Sequence, residues 1–149
     1  MSIKTISEGS NYTAVNLGPA SEIEKYVFTG FGQPIPGKVF LQQALHLTGS
    51  EISYTSIPAG VQLSFFHSHK ENEEVYIVIK GKGEYQVDDN VFPIEEGSVI
   101  RVGTGASRCY KNTGTEPLVI ICIQTKESKE PLKTGHDAEF LQTEPKFTK

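Results

Sequence analysis

The chain has few cysteines, no long apolar run and no excess of positive charge, and each absence excludes a class of protein. Its 149 residues contain two cysteines, Cys109 and Cys122, too few for a disulfide framework and not spaced as a C-x-x-C pair. No run of about 18 apolar residues occurs, so we predict no membrane-spanning segment and no membrane partner. The net charge of −4 argues against a nucleic-acid partner, which favours a basic surface.

The N-terminus also lacks the apolar stretch of a secretory signal, since the first residues read MSIKTISE. We therefore expect both thiols to be reduced and buried, and the protein to be cytoplasmic. Hydrophobic residues make up 37% of the chain and charged residues 21%, which is typical of a globular protein. A chain of this length fits one domain better than two.

Turn-rich segments at the two ends frame a central β-rich region. Residues 1–37 are predicted to form an N-terminal extension that packs on the core, and the capping-box spacing of Ser21-Glu22-Ile23-Glu24 predicts one short helical turn there. Residues 38–124 are predicted to form the barrel. Residues 125–149 form a tail of lysines, glutamates and prolines, in which Phe140 and Leu141 either pack on the barrel or stay loose.

Within residues 38–124, short β-rich runs alternate with turn residues at regular intervals, which is the pattern of an all-β sandwich or barrel. The predicted strands are Val39–Leu47, Glu51–Ile57, Gln62–His69, Glu74–Ile79, Gly83–Val87, Val91–Ile94, Ser98–Val102, Ser107–Asn112 and Leu118–Gln124. No long helical periodicity interrupts them.

One segment carries a pattern of metal-ligating residues. Side chains alternate faces along a strand, so His67 and His69 are expected on one side. Glu74 begins the next predicted strand, where it shares its face with Tyr76. Two histidines and one carboxylate form a facial triad that suits iron(II), manganese, nickel or zinc. With Gly81 included, the spacing arises by chance in about one chain in a thousand of this composition.

With its glycines, this segment resembles the first motif of the cupin superfamily, G-x5-H-x-H-x3/4-E-x6-G, and the chain is most similar to small single-domain cupins. Gly60 lies one residue further from the first histidine than the motif has it, whereas the positions from His67 to Gly81 fit. The second motif, G-x5-P-x-G-x2-H-x3-N, maps onto Gly97–Asn112. There Gly103 stands at the proline position, and Arg108 stands where the fourth metal ligand usually is.

The resemblance implies a jelly-roll barrel of the double-stranded β-helix type, with the site inside the barrel and commonly a homodimer. It implies no single reaction, because cupins include dioxygenases, sugar-phosphate isomerases and binding or storage proteins.

Arg108 leaves two main alternatives, because a guanidinium only donates hydrogen bonds and cannot ligate a metal. In the first, His67, His69 and Glu74 hold a divalent ion and Arg108 clamps an anionic ligand beside it. In the second, Arg108 pairs with Glu74 and replaces the metal. A third alternative leaves Arg108 in solvent without a role.

We predict a small metal-binding cupin that acts on or binds a small anionic metabolite, as an enzyme of oxygenase or isomerase type. Tyr76 is then a candidate proton donor, and Arg108 a candidate catalytic and substrate-binding residue. Tyr110 and Phe65 are candidate substrate-binding residues, although barrel aromatics more often fill the core. Two other hypotheses stay open: a non-catalytic protein that binds a sugar or a carboxylate, with or without metal, and a metal-free cupin kept for protein–protein contact.

Overall fold

The computed structural model describes residues 1–63 and 65–147, which consist of strands with two short helices. Ser64, inside the predicted strand Gln62–His69, and residues 148–149, at the end of the predicted tail, lie outside the described residues. The strands are β1 (Lys4–Gly9), β2 (Tyr12–Asn16), β3 (Val27–Phe28), β4 (Ile35–Pro36), β5 (Lys38–Phe40), β6 (Ser50–Ile57), β7 (Asn72–Lys80), β8 (Lys82–Val87), β9 (Asn90–Glu95), β10 (Val99–Val102), β11 (Arg108–Asn112) and β12 (Leu118–Lys126). The helices are a 3₁₀ helix, Ala20–Lys25, and α1, Gln42–Leu45.

The strands form two main antiparallel sheets. The larger has the order β10-β7-β12-β6-β5, and the smaller has the order β11-β8-β9. Two hairpins, β1-β2 and β3-β4, lie in the N-terminal region. The prediction of an all-β chain without long helices is confirmed for the described residues.

Side-chain alternation in the larger sheet separates two apolar clusters. On β7, Tyr76 and Val78 point inward and belong to a cluster that also contains Tyr85 and Ile120. The opposite face of the sheet packs against the N-terminal region, where Ile23 and Tyr26 form one cluster with Val39, Leu41 and Val119. Each aliphatic side chain that becomes fully buried in this way contributes about 1.5–3 kcal/mol to the free energy of unfolding.

The predicted strand Val39–Leu47 is wrong in its second half. Strand β5 ends at Phe40, and one turn of helix, α1, follows it. Glu51 Oε1 accepts hydrogen bonds from the backbone N–H groups of Leu41 and Gln42, at 3.2 and 2.8 Å, and so holds the start of this turn. His46 ends the turn in the left-handed conformation, with φ of 54°, and is exposed.

The predicted strand Gln62–His69 is also wrong as a continuous strand. Among its described residues, the segment forms two isolated bridges with β11, Gln62 with Lys111 and His67 with Arg108. Gln62 and His67 are five positions apart, whereas their partners are three apart, so the segment carries two extra residues and cannot form a regular ladder. At His67 and Arg108 the backbones exchange two hydrogen bonds, 3.3 and 3.0 Å long, which fix the histidine segment beside β11.

The remaining predictions concern the two ends of the chain. A helical turn does form at the predicted place, as the 3₁₀ helix, but Pro19 rather than Ser21 stands at its N-cap and no side chain caps it. In the tail, Phe140 and Leu141 are exposed and do not pack on the barrel. Neither helix in the described part of the chain has the length and apolar content that crossing a membrane requires.

Candidate metal centre and cavity

A cavity of about 580 Å³ opens between the larger sheet and the histidine segment. Inward-facing residues of β7 and β12 line its inner end, including Glu74, Tyr76, Cys122 and Gln124. The register of these strands places them together, since Glu74 lies opposite Gln124, and Tyr76 lies opposite Cys122. The N-terminal region lines its outer part with apolar side chains, namely Phe31, Pro34, Ile35 and Pro36. Most of the exposed lining is therefore apolar, with polar groups at a few places.

His67, His69 and Glu74 come together at this inner end. Each offers one ligand atom, and the three atoms lie within 4.8 Å of one another. His69 Nε2 is 3.1 Å from Glu74 Oε1, and His67 Nε2 is 3.8 Å from Glu74 Oε2. The rings of the two histidines are 5.4 Å apart and nearly perpendicular. The two imidazoles therefore converge on the carboxylate, although the segment that carries them is not a regular strand.

The two oxygens of Glu74 have different partners. Oε2 accepts hydrogen bonds from Arg108, at 2.9 Å from Nε and 2.6 Å from Nη2, and from the Tyr76 hydroxyl. Oε1 faces His69 alone. Oε2 is therefore held from behind by buried donors, whereas Oε1 is turned toward His69 and can act as a ligand atom.

The surroundings of Glu74 keep it ionised. Its burial would raise the pKa, but hydrogen bonds with His67 and Tyr76 and the charge of Arg108 together hold the pKa well below its usual range. Burial lowers the pKa of His69, and Arg108 and His67 lower it further, against the opposing effect of Glu74. The favoured state is thus a carboxylate beside a neutral imidazole, the form in which each group ligates a metal.

Arg108 does not reach the cavity. It is fully buried on β11, and its guanidinium also donates from Nη1 to the backbone oxygens of Ala106 and His67, at 2.9 and 3.4 Å. Arg108 pairs with Glu74, as the second alternative expected. It is not among the residues that line the cavity. In the first alternative, Arg108 clamps an anion in the cavity. That role requires donors directed into the cavity, and the Arg108 side chain directs none there.

The aromatic candidates lie at three depths. Tyr110 is buried and lines the cavity wall, and Phe65 is 56% exposed at the rim. Tyr76 lines the inner end, where its hydroxyl donates to Glu74. Burial strongly raises the pKa of Tyr76, and the neighbouring Tyr85, Cys122 and Glu74 add to the effect. A role for Tyr76 as a proton donor to a ligand stays a prediction, and it would require the bond to Glu74 to break.

Reasoning from the sequence missed two residues of the cavity. Lys38 on β5 points inward, and its amine lies 3.0 Å from the Ser53 hydroxyl and 2.8 Å from the Thr55 hydroxyl. Gln124 Nε2 lies 3.0 Å from both ring nitrogens of His69. The alternation of β5 and β12 could have placed Lys38 and Gln124 inward, but neither residue belongs to the metal-ligand pattern of the sequence.

The donor set fits a divalent metal ion. Two imidazoles and one carboxylate oxygen are the ligands of a facial triad, and Glu74 Oε1 is available for this role. His67 Nδ1 is buried and has no hydrogen-bond partner among the residues that the structure describes. Buried polar atoms are normally satisfied, and the other nitrogen of this ring, Nε2, lies 3.8 Å from Glu74 Oε2.

Comparisons with known proteins agree with the geometry. Residues 53–124 match the family model described as "Cupin domain". The crystal structure of a cupin protein from Bacteroides fragilis is 33% identical, with a TM-score of 0.66, over 70% of this chain and 88% of that one. The predicted double-stranded β-helix is therefore confirmed.

Two curated proteins are also similar over part of their length. A glucose-6-phosphate isomerase of Pyrococcus abyssi is 32% identical over 48% of this chain and 38% of its own. An oxalate-binding protein of Thermotoga maritima is 23% identical over 63% of this chain and 77% of its own. The chain spans less than two thirds of the length of several curated relatives that it matches, this isomerase among them.

Proposed function

Because the chain belongs to the cupin superfamily, we propose that it binds a divalent metal ion at His67, His69 and Glu74 and a small anionic metabolite in the adjoining cavity. The observation that carries the proposal is the convergence of three ligand atoms within 4.8 Å at the inner end of a cavity of about 580 Å³. Iron, manganese, nickel and zinc all accept this donor set.

The charge of the site supports an anionic ligand. Arg108 neutralises Glu74, and the favoured form of His69 is neutral, so the groups around the triad carry little net charge before an ion binds. A divalent ion would then give the inner end of the cavity about two positive charges, which an anionic ligand would offset. Two similar proteins carry names that fit this expectation, oxalate-binding protein and glucose-6-phosphate isomerase.

The chain's own residues would position both groups. Arg108 and Tyr76 hold Glu74 Oε2 and so aim Oε1 toward His69. Apolar side chains such as Phe31 and Phe40 line the outer cavity and would keep water away from a bound ligand. A bound metal would act as a Lewis acid toward a carbonyl or carboxylate oxygen. Oxygenase or isomerase turnover, the homodimer and the cytoplasmic location stay predictions.

One observation favours a second candidate, a metal-free binding protein. Arg108 already gives Glu74 a fully buried partner that donates two hydrogen bonds to Oε2, so the carboxylate does not need a metal to compensate its charge. In that case the cavity binds its ligand through protein groups alone, as in the predicted alternative of a non-catalytic sugar- or carboxylate-binding cupin.

Metal uptake distinguishes the two candidates. We would purify the protein without a polyhistidine tag, measure its metal content, and titrate the metal-stripped protein with manganese by isothermal titration calorimetry. The expected result is one ion per chain in the wild type and at least about a tenfold weaker affinity in H67A and H69A. His46, which is exposed and bonded to Glu8, supplies the matched control, and H46A is expected to bind as the wild type does.

Two results would contradict the metal proposal. One is that neither the purified nor the reconstituted protein holds metal. The other is that ions bind equally well to H67A, H69A and H46A, which would place them elsewhere on the chain. Either result would favour the metal-free candidate.

A further inference from the structure

Lys38 places an amine inside the cavity. The residue lies on β5, three strands from Glu74 in the larger sheet, and lines the same cavity as the histidine pair. Its Nζ contacts the hydroxyls of Ser53 and Thr55, on the adjacent strand β6, at 3.0 and 2.8 Å. The Phe40 ring lies 4.8 Å from the same nitrogen, a distance typical of a cation–π contact.

Lys38 has no carboxylate partner among the described residues. The nearby Glu51 directs one oxygen to the backbone N–H groups of Leu41 and Gln42 at the start of α1. Burial lowers the pKa of Lys38, and the neighbouring Cys122, Glu74 and Glu51 offset this only in part. A half-buried ammonium without a paired anion costs free energy, and an anion bound beside it would recover that cost.

The two hydroxyls make this place suitable for an oxyanion. An ammonium group can only donate hydrogen bonds, so Ser53 and Thr55 accept from Lys38 and keep their own hydrogens for other acceptors. The third N–H of Lys38 has no oxygen partner among the described residues. One charged donor and two hydroxyl donors thus stand on one wall, with Ser53 and Thr55 themselves buried.

We propose that Lys38, Ser53 and Thr55 form an oxyanion subsite that binds a carboxylate or phosphate group of the ligand held in the cavity. The inference deepens the proposed function, because it assigns the recognition of the anionic ligand to Lys38 instead of Arg108. The donors of Arg108 are taken by Glu74, Ala106 and His67, whereas Lys38 faces the cavity. A carboxylate and a phosphate offer the same acceptor oxygens, and the probes below distinguish them.

Calorimetric titration of K38M tests the subsite. The probes are malonate, inorganic phosphate and glucose 6-phosphate, each titrated into metal-stripped and manganese-loaded protein. Methionine keeps most of the length of the side chain and removes the charge. The matched control is K129M, which removes an exposed lysine of the tail. Circular dichroism and thermal unfolding verify that both variants are folded, and S53A tests the contribution of one hydroxyl.

The expected result is that at least one probe binds the wild type and K129M equally, binds K38M at least about tenfold more weakly, and binds S53A with an intermediate affinity. Binding of malonate alone would identify a carboxylate ligand, and binding of the phosphate probes alone a phosphate ligand. The subsite is refuted if K38M binds every probe as tightly as the wild type, or if no probe binds the wild type.

Manganese affinity, measured in the same samples, separates the two proposals. K38M leaves His67, His69 and Glu74 untouched, so its manganese affinity is expected to equal that of the wild type. Loss of probe binding from K38M in metal-stripped protein would support the subsite even where the metal proposal fails. Unchanged probe binding with intact manganese uptake would refute the subsite alone.

Discussion

Arg108 directs both Nε and Nη2 to a single oxygen of Glu74, at 2.9 and 2.6 Å, instead of spreading over the two carboxylate oxygens. The other oxygen stays turned toward His69. Arg108 stands at the position where the second motif usually has a histidine ligand. In this chain a buried cation that orients Glu74 therefore stands at that position, and the pair provides the first prediction.

Substitution of Arg108 by methionine is expected to lower the free energy of unfolding by about 3–5 kcal/mol. The change leaves Glu74 buried without its cation, and the loss of one partner from a buried ion pair costs this much. Urea denaturation at neutral pH measures the difference.

Arg101 supplies the control for this prediction. It pairs with Glu73 and Glu127 at 2.5 and 2.7 Å, but its side chain is 57% exposed. R101M is therefore expected to lower the free energy of unfolding far less than R108M does, because water screens exposed pairs. Equal losses in the two variants would show that the Arg108–Glu74 pair does not contribute as a buried pair.

Two neighbouring tyrosines provide a matched test of the hydrogen bond to Glu74. The rings of Tyr76 and Tyr85 lie 5.2 Å apart in the same core cluster, and both are almost fully buried. The Tyr76 hydroxyl donates to Glu74. The Tyr85 hydroxyl has no partner with hydrogen-bond geometry among the described residues, although Tyr76 is close enough to influence its pKa.

Y76F is expected to lower the free energy of unfolding by about 1.5–3 kcal/mol, because it removes a hydrogen bond to a charged group. Y85F removes an unsatisfied buried hydroxyl and is expected to leave stability unchanged or to raise it slightly. Both changes keep the ring, so packing is the same in the two experiments. Urea denaturation measures both variants. A larger loss of free energy of unfolding in Y85F than in Y76F would contradict this interpretation.

The glycine that follows β7 could be predicted from the sequence because the backbone conformation at that position requires it. Gly81 has φ of 85°, and a β-carbon there would lie 2.7 Å from the Pro117 carbonyl oxygen, so the turn between β7 and β8 requires glycine. Alternation along β7 likewise predicted that Glu74 and Tyr76 face inward. Patterns that follow from local geometry can be read from the sequence.

The remaining features depend on contacts between distant segments. The end of β5 at Phe40 depends on Glu51, ten residues after the first amide that it holds. The two extra residues between Gln62 and His67 become visible only through their register with β11. In the same way, the sequence names Arg108 as a cation but does not say whether its donors face the ligand or Glu74. Only the packing of β11 beside β7 decides that.

The lowered pKa of Lys38 predicts how stability depends on pH. Burial disfavours the ammonium form in the folded state, whereas in the unfolded chain Lys38 titrates near the ordinary lysine value of 10.5. Between the lowered folded pKa and 10.5, the unfolded chain binds more protons, so this residue makes stability rise with pH. Below that window the folded protein bears the full cost of a buried charge.

In the absence of ligand, K38M is therefore expected to be more stable than the wild type at about pH 7, and the difference is expected to shrink toward pH 10. The groups that act on Lys38 from neighbouring strands are Glu74, Glu51 and Cys122, and they are present in both proteins. Glu74 titrates far below this window. Burial raises the pKa of Cys122 from 9.0 to about 12, which makes stability fall with pH above about pH 9, opposite in sign to the Lys38 effect and present in both proteins. Thermal unfolding of wild type, K38M and K129M over this range measures it. A K38M difference that stays constant with pH would mean that the Lys38 amine is solvated and titrates as in the unfolded chain.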